Sequence, residues 1–388
     1  MRRPTAPDFR NDLTRRELLG RAGVLGVALG IGSNLLAACG GGEEQAGGGA
    51  TDADIAGTIN FLSWQGYDLQ GHKPLARWQK QNGITFRSTF INTHEDIQAK
   101  VTQSPGTYNL ITYYQGYWEL YKKLNILSPL DPGLVPNLEK NYPVFQNAKW
   151  WNSDGELWGV PFTWGSWVLV YNPDEMSKPS SWQDLLSPKL KGRVAIIDDP
   201  NCAMLVGGRV LGYELPNLTK SEVADIIDFY REVRSNARLI APSMGDVANL
   251  FTSGEVIACI PPVNTLEGLI KQQGGKAASA VPKEGSATFC DAWAIPPETS
   301  DVGTAHAWIN HVLTPGAQAY TGNSLAQGIT QPGAINQLDP TVRELFPYDD
   351  LESWIEQAPL FSLPSEDDPN VVNFQGWLNA WAAFKAEG

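Results

Sequence analysis

The sequence predicts an α/β protein of two lobes, each built on a doubly wound, mainly parallel β-sheet. Three observations lead to this class. Strand and helix patterns alternate along residues 58–112, which is typical of parallel strands joined by helical crossovers. The same alternation returns after residue 181. The chain beyond its N-terminal segments is about 330 residues long, a length that favours two domains over one.

Five consecutive elements predict the first lobe. Pro74 and Gly83 bracket the first helix, because proline suits a first helical turn and glycine suits a helix end. Thr93 and Asp96 have the spacing of a capping box for the second helix. The predicted order is strand 58–63, helix 74–81, strand 84–90, a helix from 93 to about 104, and strand 109–112.

Aromatic side chains follow two of these strands. Trp64 and Tyr67 come after the first strand, and residues 113–117 bring three tyrosines after the third. In doubly wound sheets, ligands bind outside the carboxyl ends of the strands. These aromatic residues are therefore predicted to line a cleft, with ordinary core packing as the alternative.

The stretch 158–173 is predicted to carry the chain from one lobe to the other. The run 167–171 is typical of a strand buried on both faces. Phe162, Trp164 and Trp167 are expected to face the cleft. The alternative is a core strand in which these side chains pack the hinge.

The second lobe is predicted from capping signals and short strands. Thr219 with Glu222, and Ser243 with Asp246, mark the starts of two helices. Other predicted elements are helices 182–186 and 201–211 and strands 193–197, 255–260 and 289–296. A C-terminal helix has an apolar stripe that is expected to be core, formed by Val371, Phe374, Leu378, Trp381 and Phe384.

The N-terminal residues carry export signals. Residues 14–19 (TRRELL) resemble a twin-arginine signal, and an apolar run ends in Leu36-Ala37-Ala38-Cys39, which resembles a lipobox. Residues 1–38 are therefore predicted to be a cleaved signal, Cys39 the lipidated residue, and 39–56 a flexible tether rich in glycine and acidic residues.

The charge of the chain excludes some partners. The formal net charge is −13, and loss of the basic signal would bring it to −16. So acidic a protein is not expected to bind nucleic acid or an anionic membrane surface.

The sequence carries no familiar motif for catalysis or metal binding. It lacks four motifs: paired glycosidase carboxylates in a recognisable motif, a G-x-S-x-G elbow, an H-E-x-x-H pair and a Walker loop. We therefore predict no catalytic residue, no cofactor and no metal site. Cys202, Cys259 and Cys290 do not have zinc spacing and could form one disulfide and leave one free thiol.

Seven motifs resemble, in order, those of bacterial spermidine/putrescine-binding proteins, which are solute-binding components of ABC importers. They are W-x-x-Y at 64–67, VPFTWG at 160–165, SWQDL at 181–185, KLKGRV at 189–194, LGY at 211–213, PKEG at 282–285 and DAWAIP at 291–296.

The resemblance implies a periplasmic-binding-protein-like (type II) fold whose two lobes close like a hinge on a ligand. It implies lobe 1 from residues 57–163 and 287–335, and lobe 2 from 164–286 and 336–388. It further implies a monomeric, exported protein, anchored by lipid to the cytoplasmic membrane, that partners the permease and ATPase subunits of an importer and does no chemistry on its ligand.

The resemblance also implies a set of ligand-binding residues. Three family positions are filled differently here. Cys202 stands where the family has glutamate, and Pro261 and Phe289 stand where it has tryptophan. The predicted ligand-binding residues are Trp64, Tyr67, Tyr114, Tyr117, Trp164, Asp199, Phe289 and Asp291.

A polyamine needs aromatic faces for its methylenes and a carboxylate for each ammonium. Asp199 and Asp291 are predicted to supply two such carboxylates, and Asp68 or Asp198 a third. Alternatives are the same importer role for another small organic solute, or an exported lipoprotein that binds or hydrolyses glycans.

Overall fold

Two β-sheets form the centre of the computed structural model of the protein, which describes residues 55–91 and 93–387. Both sheets are mixed, so the prediction of mainly parallel sheets was wrong: β6, β7 and β12 pair antiparallel with their neighbours. The strands are β1 Gly57–Ser63, β2 Ile84–Phe90, β3 Leu110–Tyr114, β4 Asn152–Ser153, β5 Glu156–Leu157, β6 Val160–Ser166, β7 Leu169–Tyr171, β8 Val194–Ile197, β9 Ala237–Ala241, β10 Ala258–Ile260, β11 Ala278–Ala280, β12 Thr288–Ala294 and β13 Gly328–Ile329.

Helices occupy most of the connections between these strands. The α-helices are α1 Lys73–Gln81, α2 His94–Gln103, α3 Trp118–Lys123, α4 Pro143–Gln146, α5 Pro200–Leu211, α6 Lys220–Arg234, α7 Met244–Thr252, α8 Thr265–Gln272, α9 Val302–Val312, α10 Pro315–Leu325, α11 Pro340–Arg343, α12 Leu351–Gln357 and α13 Phe374–Ala386. Short 3₁₀ helices cover Gln115–Tyr117, Pro132–Leu134, Pro136–Lys140, Trp182–Leu186, Pro188–Leu190, Pro332–Gln337 and Tyr348–Asp350. None of the helices described has both the length and the apolar character to span a membrane.

The first sheet has the strand order β13-β6-β12-β3-β1-β2 and forms the centre of lobe 1. β1 pairs in parallel with β2 and β3, as the alternating pattern predicted. β12 returns late in the chain and pairs antiparallel with β3 and β6. β3 extends beyond the predicted strand 109–112, so Tyr113 and Tyr114 belong to the strand itself.

The second sheet has the order β11-β7-β10-β8-β9 and forms the centre of lobe 2. β8 pairs in parallel with β9 and β10, and β7 pairs antiparallel with β10. The predicted strand 255–260 shortens to β10, because the backbone amides of Glu255 and Val256 bond back to Leu250 in the turn that ends α7.

The chain crosses between the sheets within the predicted stretch 158–173, but two strands, β6 and β7, share that stretch between the two sheets. β6 runs through Pro161 and Gly165 and stays in the first sheet, and only residues from Leu169 onward join the second. Proline is tolerated in β6 because the pairing with β12 shifts register between Asp291 and Ala292, directly beside it. At the crossing, Trp167 forms an isolated bridge with Val263.

The predicted helix starts are confirmed by their caps. Thr93, Ser181 and Thr219 each complete a capping box, and the Ser243 side chain accepts from the Asp246 amide. These caps set the residues at which α2, α6 and α7 begin.

The C-terminal helix α13 packs on lobe 2. The Trp381 ring lies 5.1 Å from that of Tyr230 on α6, and Arg234 donates to the carbonyl of Phe384 at 2.8 Å. Trp381 and Phe384 are buried as predicted, but Phe374 and Leu378 are only partly buried.

Several predictions concern parts of the chain outside the described residues. The signal 1–38, the lipidated Cys39 and the tether up to residue 54 belong to this group. The lobe boundaries stay predictions, although the first sheet takes its strands from 57–166 and 288–329 and the second from 169–280.

The three cysteines of the described chain are free and buried thiols. The disulfide that the sequence left possible among Cys202, Cys259 and Cys290 is therefore not formed. Cys202 instead lies inside the start of α5, with its Sγ 3.3 Å from the carbonyl oxygen of Asp199. Burial raises the pKa of all three thiols, which keeps them protonated.

Candidate functional site

A cavity of about 460 Å³ lies between the two lobes, and we call it the interlobe cavity. Lobe 1 contributes the end of β1, the start of α2, the end of β3 and the middle of β12, while lobe 2 contributes the start of α5 and one face of α13. The lining residues are Trp64, Tyr67, Thr93, His94, Glu95, Tyr114, Tyr117, Trp167, Asp198, Asp199, Pro200, Asn201, Val263, Phe289, Asp291, Phe374 and Leu378.

Asp291 is the most buried carboxylate of the lining, and we call its side of the cavity the deep end. It sits in β12 opposite Tyr114, is 5% exposed, and accepts a hydrogen bond from the Tyr67 hydroxyl at 2.6 Å. Burial raises the pKa of Asp291 to about 7, although the bond from Tyr67 acts in the opposite direction. The pKa of Tyr67 is raised well above its usual value by burial and by Asp291, so its hydroxyl remains a donor.

Asp199 lies on the lobe 2 side, at the start of α5. It is the N-cap of α5, where its Oδ1 accepts from the Cys202 amide at 3.2 Å, and its side chain is partly buried. Burial raises the pKa of Asp199, while hydrogen bonds from the backbone amides of Cys202 and Asn201 lower it. The neighbouring Asn201 amide is 3.5 Å from the Tyr114 hydroxyl, which belongs to lobe 1.

Aromatic rings form a continuous part of the cavity lining. The Tyr114 ring lies 6.2 Å from Tyr117 and 6.3 Å from Trp167, and Trp167 in turn lies 5.9 Å from Phe289. Gly165 makes room for the Phe289 ring, since a Cβ there would come within 2.7 Å of it. These faces suit methylene groups and can also attract a cation.

The rim of the cavity joins aromatic and acidic groups. The His94 ring lies 4.4 Å from Tyr117 and 5.3 Å from Trp64. Burial lowers the pKa of His94 to about 4, so its imidazole is neutral near pH 7. Glu95 follows it, and its Oε1 accepts from the Tyr117 hydroxyl at 3.1 Å.

Among the lining carboxylates of the described chain, only Asp198 forms a salt bridge with a lysine or arginine. Its oxygens accept from Trp381 Nε1 at 2.8 Å and from Lys385 Nζ at 2.7 Å. Glu95, Asp199 and Asp291 have no such partner among the described residues. No lysine or arginine belongs to the lining in the described chain, so the cavity is an anionic, aromatic-walled site.

Seven of the eight predicted ligand-binding residues line this cavity, and Trp164 does not. The Trp164 indole is fully buried, donates to the carbonyl of Ile329 at 3.0 Å and packs on Phe145 and Phe346. It therefore packs lobe 1 rather than facing the cleft, and its assignment to the site was wrong.

Two further cleft predictions are corrected by the structure. Phe162 is fully buried, with its ring stacked 4.2 Å from Trp293. Asp68 lies outside the cavity lining and accepts a hydrogen bond from Ser88 at 2.7 Å. The acid next to Asp199 that does line the cavity is Asp198, and Lys385 neutralises it.

Sequence reasoning missed several lining residues. His94 and Glu95 had a usable signal, because the capping box starts α2 soon after the carboxyl end of β2, where ligands of such sheets bind. Asn201 also had a signal, because it lies in the first turn of α5, directly after the predicted site residue Asp199 and Pro200. Phe374 and Leu378 had no local signal, since only tertiary packing brings α13 to the cavity.

Known proteins resemble this chain along most of its length. The sequence profile of the family described as bacterial extracellular solute-binding protein matches residues 75–344. The chain is 26% identical over 297 residues to the spermidine/putrescine-binding periplasmic protein of Escherichia coli K12, covering 76% of this chain and 83% of that protein. It is 22% identical over 353 residues to the putrescine-binding periplasmic protein PotF of the same organism, covering 85% and 91%.

The fold is shared with solved structures of the same kind. The Tp0655 (TpPotD) lipoprotein of Treponema pallidum superposes with a TM-score of 0.71 at 17% identity, covering 85% of this chain and 100% of that one. The likeness confirms the two-lobe, periplasmic-binding-protein-like fold that the sequence predicted.

Proposed function

Because the chain belongs to the bacterial extracellular solute-binding protein family, we propose that it is the solute-capturing component of an ABC importer. Its proposed ligand is a small linear amine of the polyamine type, such as putrescine or spermidine, held in the interlobe cavity. The observation that carries this proposal is the combination of carboxylates and aromatic faces in a lining without lysine or arginine within the described chain.

The physical argument concerns desolvation. Burying an ammonium group costs several kcal/mol unless it is paired and hydrogen-bonded, and the same holds for a buried carboxylate. An amine that enters between Asp199 and Asp291 removes both penalties at once. Its methylene chain can lie against Tyr114 and Tyr117, whose faces also favour a nearby cation.

The relatives support the transport role. The E. coli proteins are named for binding spermidine and putrescine, and both are periplasmic. For this chain we extend the proposal to an exported monomer, anchored through Cys39, that delivers its ligand unchanged to permease and ATPase subunits. The lobe boundaries near residues 163 and 286 belong to the same proposal.

A second candidate is the same role for a different small organic cation. Cys202 and Pro261, which replace an acid and a tryptophan of the resembling family, favour this alternative, and Cys202 is fully buried outside the lining. A glycan is less suited, because a neutral sugar would leave Asp199 and Asp291 without a counter-charge.

The test is amine binding by the unsubstituted protein and by Asp291→Asn. Thermal unfolding and calorimetry with putrescine, spermidine, amino acids and sugars should show a raised melting temperature for amines only. Asparagine can still accept from Tyr67 but lacks the charge, so amine affinity should fall at least about tenfold, the scale of one charged hydrogen bond.

Asp349→Asn is the matched control, since Asp349 is exposed and lies outside the interlobe cavity. It should bind amines like the unsubstituted protein. A shift with a different solute and none with amines would reject the polyamine assignment and keep the importer role. Turnover of a bound ligand by the purified protein would reject the binding role itself.

A further inference from the structure

Glu95 is a carboxylate of the interlobe cavity that no motif of the resembling family marked. It lies in the first turn of α2, where the capping box of Thr93 and Asp96 holds the helix start. Its side chain is exposed at the rim, and its Oε1 accepts from the hydroxyl of the buried Tyr117. A buried tyrosine therefore holds one oxygen of this carboxylate in place.

Within the described chain, no lysine or arginine pairs with Glu95. The adjoining His94 does not supply a cation either, because burial lowers its pKa to about 4. The pKa of Tyr117 is raised by burial and by the Glu95 charge, so its hydroxyl stays a neutral donor. In contrast, Lys385 already neutralises Asp198. The rim thus offers a carboxylate that a ligand cation can pair with.

A continuous aromatic path connects this rim to the deep end. Asp291 is opposite Tyr114 in the strand pairing, and the Tyr114 ring is followed by that of Tyr117 at 6.2 Å. The Tyr117 hydroxyl then reaches Glu95. A linear chain that starts at Asp291 and follows these rings ends at Glu95.

We propose that Glu95 is a specificity-determining residue that binds the ammonium of a linear amine extending beyond Asp291 and Asp199, and so favours amines with three charged nitrogens over diamines. This inference rests on the proposed function. Asp291 and Asp199 pair with two ammonium groups. A third ammonium group needs its own acceptor, because desolvating it without a partner is costly.

The experiment is calorimetric titration of the whole protein and its Glu95→Gln variant with spermidine, a triamine, and putrescine, a diamine. Glutamine can still accept from Tyr117 but has no charge. In this variant, spermidine affinity should fall at least about tenfold while putrescine affinity changes by less than about threefold. Glu119→Gln is the matched control, because Glu119 is exposed in the first turn of α3, also in lobe 1, and outside the cavity lining.

The control should leave the ratio of the two affinities unchanged. Because it also removes one negative charge, it separates ammonium pairing at Glu95 from a general effect of charge. An equal loss for both amines in Glu95→Gln, or a loss of spermidine affinity no larger than in Glu119→Gln, would overturn the role of Glu95. If the unsubstituted protein bound neither amine, the proposed function would fail, a result that differs from either of these.

Discussion

At the residue scale, the protonation of Asp291 is coupled to the binding of an ammonium group in the interlobe cavity. Its carboxyl is 5% exposed, and burial raises its pKa to about 7. A bound ammonium would favour the ionised form and lower that pKa. Burial also raises the pKa of Asp199, and a bound ammonium would lower that pKa in the same way.

Amine affinity should therefore depend on pH. Below about pH 7 the free Asp291 holds a proton that must leave before an ammonium can pair with it, so affinity should fall by up to about tenfold for each pH unit. Above that value affinity should level off. Calorimetry between pH 5.5 and 8.5 would measure this. A flat profile for the unsubstituted protein would contradict it, and Asp291→Asn should bind weakly with a smaller slope.

Single residues also show where sequence reasoning failed. Trp164 and Phe162 belong to the motif that resembles the family, yet both pack inside lobe 1. The face that a strand residue occupies depends on alternation, and the register shift of β12 beside Pro161 disturbs the pairing of β6 here. A sequence pattern does not contain that shift.

At the element scale, the start of α5 combines a structural and a ligand-facing role. Asp199 caps the helix through the Cys202 amide and also lines the cavity. The two roles need different properties, because capping requires an acceptor oxygen and ammonium pairing requires a charge.

Substitutions should separate these roles. Asp199→Asn keeps a good N-cap, so the free energy of unfolding should stay within about 0.5 kcal/mol while amine affinity falls. Asp199→Ala should lose the affinity and also about 1 kcal/mol of stability. Urea unfolding combined with calorimetry would check both. Equal stability of the two variants would show that the cap contributes nothing, and unchanged amine affinity would remove Asp199 from the site.

Whole elements were predicted well wherever their signals are local. The capping boxes at Thr93 and Thr219 define helix starts from residues only three positions apart, and both are confirmed. The apolar stripe of α13 predicted a helix correctly, but its expected core role holds only in part. Trp381 is buried, whereas Phe374 and Leu378 face the cavity.

At the scale of the whole molecule, the ordered motifs indicated the right relatives. The resemblance to spermidine/putrescine-binding proteins is confirmed by the curated relatives, and the two-lobe fold by the solved structures. Contacts cross the cavity between the lobes, since Tyr114 of lobe 1 approaches Asn201 of lobe 2 and the Tyr117 ring lies 5.9 Å from Phe374.

We expect ligand binding to draw the lobes further together, because a ligand held in the interlobe cavity contacts both lobes. Hinge closure around a bound amine should lower the radius of gyration by on the order of 1 Å, from about 20 Å for a chain of this size. Small-angle X-ray scattering with and without saturating putrescine would measure the change. Asp291→Asn at the same putrescine concentration should keep the larger radius. An unchanged radius in the saturated, unsubstituted protein would argue against closure.

The sequence by itself determined the α/β class, the order of strands and helices and most of the helix caps, because these depend on residues close together in the chain. It also indicated nine lining residues through strand ends and family motifs, because Trp167 and Asp198 line the cavity together with seven of the predicted ligand-binding residues. Only the tertiary structure decided which side chains face the cavity, that Lys385 neutralises Asp198, and that Glu95 and Phe374 meet around Tyr117. These facts depend on contacts between residues far apart in sequence, which local patterns do not encode.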